Sequence, residues 1–229
     1  MLPLGEHLSD QQLALRARLP LKPAPVSLHG RFVRLEPLDA ARDLETLYAI
    51  STGEAITLPG LEYPGFDAEL LIWRYLFAGP FATPDAFADY VRRQLDAPNG
   101  LPFTVIEQES GQPVGMINAM SNSPADLKIE LGGIWYTPPV QRTPVNTEAT
   151  YLLLRHYFEM GYRRLEWKCN ALNERSRRAA LRMGFQFEGI QQAHMIVKER
   201  NRDTAWFRIL DSEWPDVQRT FQRLLYGHC

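Results

Sequence analysis

Residues 128–189 constrain the fold more than any other part of the chain. The run Ile129-Glu130-Leu131-Gly132-Gly133-Ile134-Trp135-Tyr136 reads as a strand, rich in apolar and aromatic residues. Two adjacent glycines inside a strand weaken its packing, so they mark a bulge or a close approach by another backbone. A loop over residues 137–143 leads to a helix over residues 144–160, with Thr143 as N-cap, Pro144 at the first position and Gly161 as the stop. A strand over residues 163–170 and a helix from Asn173 to its stop at Gly184 follow. A strand that opens straight into a helix aims unpaired N–H groups, and the positive end of the helix dipole, at whatever occupies the loop. That is an anion site, and phosphate is its usual guest.

The flanking sequence places this segment in a mixed sheet. Residues 1–29 read as an arm, because the prolines of Leu19-Pro20-Leu21-Lys22-Pro23-Ala24-Pro25 fix an extended path without a sheet ladder. Arg31-Phe32-Val33-Arg34-Leu35-Glu36 alternates as a half-buried strand does. Asp39 caps a helix carrying Leu44, Leu47, Tyr48 and Ile50, and Thr83-Pro84-Asp85 starts another carrying Phe87, Tyr90, Val91 and Leu95. Between them, residues 55–81 form an irregular aromatic segment that is either a lid over a cleft or core filler. Strands over residues 103–106, 113–120 and 128–136 are joined by short turns and so form an antiparallel meander. In the strand over residues 163–170, Leu165, Trp167 and Cys169 alternate with Arg164, Glu166 and Lys168, which predicts one wet face. Two last strands, near 193–197 and 204–210, are joined by a polar loop over residues 199–203. The class is α+β around one mixed, mostly antiparallel sheet flanked by helices. The expected organisation is an arm at 1–29, one domain at 30–214 and a C-terminal tail at 215–229.

Charge and cysteine usage exclude several functions. Lys and Arg number 25 against 27 Asp and Glu, so no bulk attraction to nucleic acid or to an anionic membrane is expected. No apolar run approaches the roughly 20 residues of a membrane span, and the amino terminus lacks the basic start and apolar centre of a signal peptide. A cytoplasmic protein is the expectation. Cys169 and Cys229 form neither a disulfide framework nor a metal-ligand spacing, so one reads as a buried thiol, the other as a loose terminal one, and no metal is expected.

The order strand, helix, helix, three strands, phosphate-type loop, helix, strand, helix, two strands resembles the GNAT N-acetyltransferase superfamily. Gln141-Arg142-Thr143-Pro144-Val145-Asn146-Thr147-Glu148-Ala149 falls where that family has its pyrophosphate loop. Residues 173–185, from Asn-Glu-Arg-Ser to Gly184-Phe185, are similar to its following block, especially in the ribosomal-protein N-terminal acetyltransferase (RimJ/RimL-like) branch. The likeness spans residues 30–214. The loop departs from the family pattern, since Pro144 stands for a glycine and Asn146 for a small residue. Proline removes one phosphate-binding N–H but leaves the dipole and the neighbouring N–H groups.

The resemblance implies transfer of acetyl from acetyl-CoA to an amine acceptor, in a sheet splayed at the bulged strand. It assigns the cofactor to the strand edge at Ile134, Trp135 and Tyr136, to Gln141, Arg142, Thr143, Val145, Asn146 and Thr147 of the loop, and to Asn173. Asn173 has a rival role as helix cap. In the basic run Arg175, Arg177, Arg178 and Arg182, Arg177 is the candidate for the 3′-phosphate. Ser176 matches the position proposed to protonate the leaving thiolate, and Glu130 is the candidate base or water-positioning group. His194 is a candidate for the acceptor cleft, whereas His156 reads as a core or groove histidine. A non-catalytic acyl-CoA-binding module of the same shape is the alternative. Homodimerisation is suggested by the arm and by analogy of fold alone.

Overall fold

The computed structural model describes residue 5 and residues 7–227, so Cys229 lies outside the described residues. The elements are α1 (Asp10–Arg18), β1 (Leu28–His29), β2 (Val33–Pro37), α2 (Ala40–Ala49), β3 (Ile56–Leu58), β4 (Leu61–Tyr63), α3 (Pro84–Leu95), β5 (Leu101–Glu107) and β6 (Pro113–Ser123). After them come β7 (Lys128–Tyr136), α4 (Val145–Glu159), β8 (Arg164–Asn170), α5 (Glu174–Arg182), β9 (Gln186–Val197), β10 (Arg200–Leu210) and α6 (Trp214–Tyr226). Among the described residues, eight strands form one sheet in the order β1-β2-β5-β6-β7-β8-β10-β9. Every pairing is antiparallel except β7 with β8, which α4 joins as a crossover.

Strand parity sorts the helices onto the two faces. Neighbouring residues of a strand point oppositely, and paired residues point alike. Asn118 pairs with Gly132 and bonds Gln94 of α3, whereas Leu131 pairs with Trp167, whose indole bonds Ser176 of α5. So α3 lies over one face and α5 over the other. The apolar set Leu165, Trp167, Cys169, Ala205, Phe207 and Ile209 faces the α5 side, and all of it is buried.

Four expectations need correction. The chain after residue 214 is no tail: α6 packs on α4, with Val217, Phe221 and Leu225 at helical spacing in the core. Within the arm, α1 is a helix capped by Ser9, though none of its residues is buried. The arm lies on the domain, where Arg16 donates to the Ala125 carbonyl and Asn122 donates to those of Pro20 and Leu21. The last two strands are longer than expected and meet in a tight turn at Lys198 and Glu199, both with positive φ. Finally, the charged face of β8 is not wet: Glu166 is 4 % exposed and joined to Arg164 and Lys168.

The aromatic segment fills both roles offered for it. Trp73 is fully buried against Phe81, Phe87, Tyr90 and Trp135, at centroid distances of 5.0–6.5 Å. Tyr75, Leu76 and Phe77, just beyond it, wall a cleft.

Candidate active site

The cleft exists because β7 and β8 pair only from Lys128 with Arg164 to Leu131 with Trp167. Beyond that point β7 runs on to Tyr136 and β8 to Asn170 with no ladder between them. The cause is local. Met116 pairs with Trp135 and Asn118 with Gly132, so β7 carries an extra residue there, the signature of a bulge. Gly133 absorbs it at φ +58°, where a Cβ would also lie 2.4 Å from Asn118 Nδ2. Only glycine fits that combination.

Two connected cavities occupy the gap. The larger, about 740 Å³, runs along the open β7 edge from Ile134 to Tyr136, past Gln141, Arg142, Thr143 and Asn146, to Asn173 and Ser176. The smaller, about 70 Å³, shares Tyr75, Leu76, Ile134, Trp167, Asn173 and Ser176 with it. Its walls include Trp167 from the α5 face and Glu130, Lys168 and Arg202 from the opposite face. Together they line the gap with side chains from both faces of the sheet.

At the mouth of the larger cavity, α4 begins at Val145 rather than at residue 144. Pro144 is the cap residue, and its carbonyl accepts the first helical bond, from Glu148 N–H. Pro144 has φ −62°, the angle its ring fixes, and ψ −15°, so it sits at the helix start without strain. Thr143 Oγ accepts from Val145 N–H at 3.3 Å. Among the described residues nothing accepts from the N–H groups of Asn146 and Thr147. Arg142, at φ +68°, is exposed beside them. Arg175, Arg178 and Arg182 line the same cavity, so its charge suits a polyphosphate.

The expected site residues divide into those the fold brings together and those it does not. Ile134, Trp135, Tyr136, Gln141, Arg142, Thr143, Asn146, Asn173 and Ser176 all border the cavities. Gln141 spends its amide on the carbonyls of Leu71 and Tyr136, at 3.1 and 2.9 Å, and so braces the loop to the aromatic segment. Val145 and Thr147 turn their side chains inward and are 2 % exposed, so only backbone groups of theirs remain for a ligand. Arg177 is displaced too: it donates to the Ala171 carbonyl and lies over Phe187, outside both cavities. His194 lines neither cavity and shares a 2.9 Å contact with Thr204 Oγ. Burial lowers the pKa of His156, which packs edge-on against Tyr157.

At the throat, Asn173 caps α5 through Oδ1, which accepts from Ser176 N–H at 3.1 Å and leaves Nδ2 uncommitted. The indole of Trp167 can only donate, so Ser176 Oγ is the acceptor in their 2.9 Å bond and keeps its own proton to give. Burial pushes the neighbouring Cys169 thiol up and keeps it protonated. Glu130 does not stand alone. Its Oε2 accepts from Lys168 at 2.9 Å, and Lys168 also reaches Glu166 at 3.3 Å. Sequence reasoning missed Lys168 and Arg202 as cavity residues. Alternation along β8 was the available signal for Lys168, but Arg202 sat in a stretch read as loop. Among the described residues, no group of three or more His, Cys, Asp or Glu is placed to hold a metal ion, and no helix is long and apolar enough to cross a membrane.

The acetyltransferase (GNAT) domain family matches residues 33–186. A GCN5-related N-acetyltransferase from Brucella melitensis superimposes with a TM-score of 0.80 at 42 % identity, over 89 % of this chain and 87 % of its own. A probable GNAT-family acetyltransferase of Chromobacterium violaceum gives 0.78 at 33 %, over 94 % and 98 %. The ribosomal-protein-serine acetyltransferase of Escherichia coli is 30 % identical over 102 residues, which span 44 % of this chain and 56 % of that protein. The bulged, parted strand and the helix start beside it are thus set in a chain that belongs to the GNAT acetyltransferases, a family of acyltransferase enzymes.

Proposed function

We propose that this chain moves an acetyl group from acetyl-CoA to a primary amine by direct attack while both are bound, in the cytoplasm. The observation that carries the reading is the parting of β7 from β8 after Leu131, with the α4 N-terminus beside it and Ser176 at its throat. Acetyl-CoA would bring the acetyl group already activated as a thioester. The amides of Asn146 and Thr147, with Arg142, suit its pyrophosphate, and the unpaired edge of β7 suits an extended arm. Glu130, which lines the smaller cavity and whose Oε1 has no partner among the described residues, is the group to take the amine's proton, directly or through water. As the N–C bond forms and the C–S bond breaks, nitrogen gives up a proton and sulfur gains one, for which Ser176 is the donor. The acceptor is a protein N-terminus, the class named for the Escherichia coli relative, or a small-molecule amine.

The ion pair of Glu130 with Lys168 favours a second reading, a GNAT-shaped module that binds acyl-CoA without turnover. Calorimetric titration with acetyl-CoA, beside an Arg142→Ala/Asn173→Ala double variant, tests the shared part. About micromolar binding that the variant loses is expected. Wild-type protein that does not bind would overturn both readings. Thiol release on adding amines separates them, because the module releases none.

A further inference from the structure

The smaller cavity holds a cation that forms no ion pair among the described residues. Arg202 is 5 % exposed. Its Nε donates to Thr204 Oγ at 3.3 Å, and its guanidinium lies 4.5 Å from the ring centroid of Phe77. Among the described residues no carboxylate forms an ion pair with it, whereas the other cation of the cavity, Lys168, is held by both Glu130 and Glu166. A buried guanidinium without a partner is costly, and removing a carboxylate ligand from such a site leaves that cost in place. Burial lowers the pKa of Arg202, and the opposing charge of Glu130 does not cancel it. Arg202 lies on the same sheet face as Glu130, whose Oε1 is free. Near the chamber, Lys198, at the β9–β10 turn, donates to the Trp73 carbonyl at 2.8 Å and so ties the hairpin to the aromatic segment.

From this arrangement we propose that the acceptor is a small amine carrying a carboxylate close to its amino group, as a free amino acid does. The carboxylate pairs with Arg202, while the amine faces Glu130. This rests on the acetyl-transfer reading and narrows its acceptor. A guanidinium in a site shielded from water is the group best suited to a carboxylate, which it meets with two parallel N–H donors. A cavity of about 70 Å³ favours a compact acceptor over a threaded peptide.

The test uses the full chain, acetyl-CoA and thiol release, with each amino acid matched to the primary amine that lacks only its carboxylate, and a peptide with a free N-terminus alongside. The amino acid is expected to lead its matched amine by about tenfold or more in kcat/KM. Arg202→Gln should collapse that ratio towards one, and Arg202→Lys, which keeps the charge, should retain part of it. A wild-type ratio of one or below overturns the proposal, and this outcome does not depend on how the variants fold. An Arg202→Gln loss equal on both members of a pair overturns it as well, because Arg202 would then act on the reaction or the fold. Transfer to the peptide alone overturns this proposal and leaves acetyl transfer standing. Release with no amine, although acetyl-CoA binds, overturns both.

Discussion

Glu148, on α4, is fully buried, and its carboxylate is saturated with donors. It accepts from the backbone N–H groups of Arg31, Phe32 and Val33, at 2.9, 2.6 and 2.8 Å, and from Tyr226 Oη at 2.8 Å. One side chain therefore joins the end of the arm, the first long strand, the crossover helix and α6. Glu148→Ala leaves three clustered N–H groups, that of Val33 buried, without their acceptor, so a loss of about 3 kcal/mol in urea unfolding is expected. A loss under about 1 kcal/mol would mean that water enters and replaces the carboxylate. Nothing in the sequence announced Glu148, because three of its four partners are backbone groups more than a hundred residues away and the fourth is the Tyr226 hydroxyl. Gly133 was legible for the opposite reason, since a glycine inside a strand is a local signal. Arg202 was not. The turn beside it uses Lys198 and Glu199, without the Asn-Gly or Asp-Gly signature that would have moved the strand start back to Arg200.

The ladder of charges across β8, β9 and β10 belongs to the elements rather than to any one residue. Arg164 bonds Glu166 and Glu188, Arg208 approaches Glu188 at 3.7 Å, and Lys168 reaches across to Glu130 on β7. The bond to Arg164 holds the Glu188 carboxyl below its usual range. Burial pushes Glu166 up, but Arg164 and Lys168 outweigh it and leave it low. A carboxyl with a depressed folded-state pKa stabilises the fold above its unfolded value of 4.5 and loses that contribution as pH falls through the folded value. Melting temperature should therefore drop steeply below pH 4.5, and less steeply in Glu188→Gln. Parallel curves would show that the ladder is not coupled to folding. The helices that were read correctly carry their own start signals: Asp39 caps α2, Thr83 and Pro84 open α3, and Asn173 caps α5. Because α1 buries nothing, it has no apolar period to find.

At the scale of the whole molecule, α6 closes the core over α4. Its Phe221 is fully buried and lies 5.4 Å from the ring of Tyr151. Phe221→Ala should cost about 3–5 kcal/mol in denaturant unfolding, whereas a loosely attached tail would show almost no change. The stripe Val217, Phe221 and Leu225 was visible in the sequence, but it falls after the last strand of a likeness that ended at residue 214. The mixed sheet and its parted strands were legible because strand alternation and the glycine pair are local. The smaller cavity was not, because residues from the aromatic segment, β7, β8 and β10 meet there only when the sheet is assembled. That assembly has a further consequence. A sheet is ordinarily a wall, and here the wall has a window between β7 and β8. On the acetyl-transfer proposal, two guests would meet at that sill from opposite faces, so neither would have to leave before the other could depart.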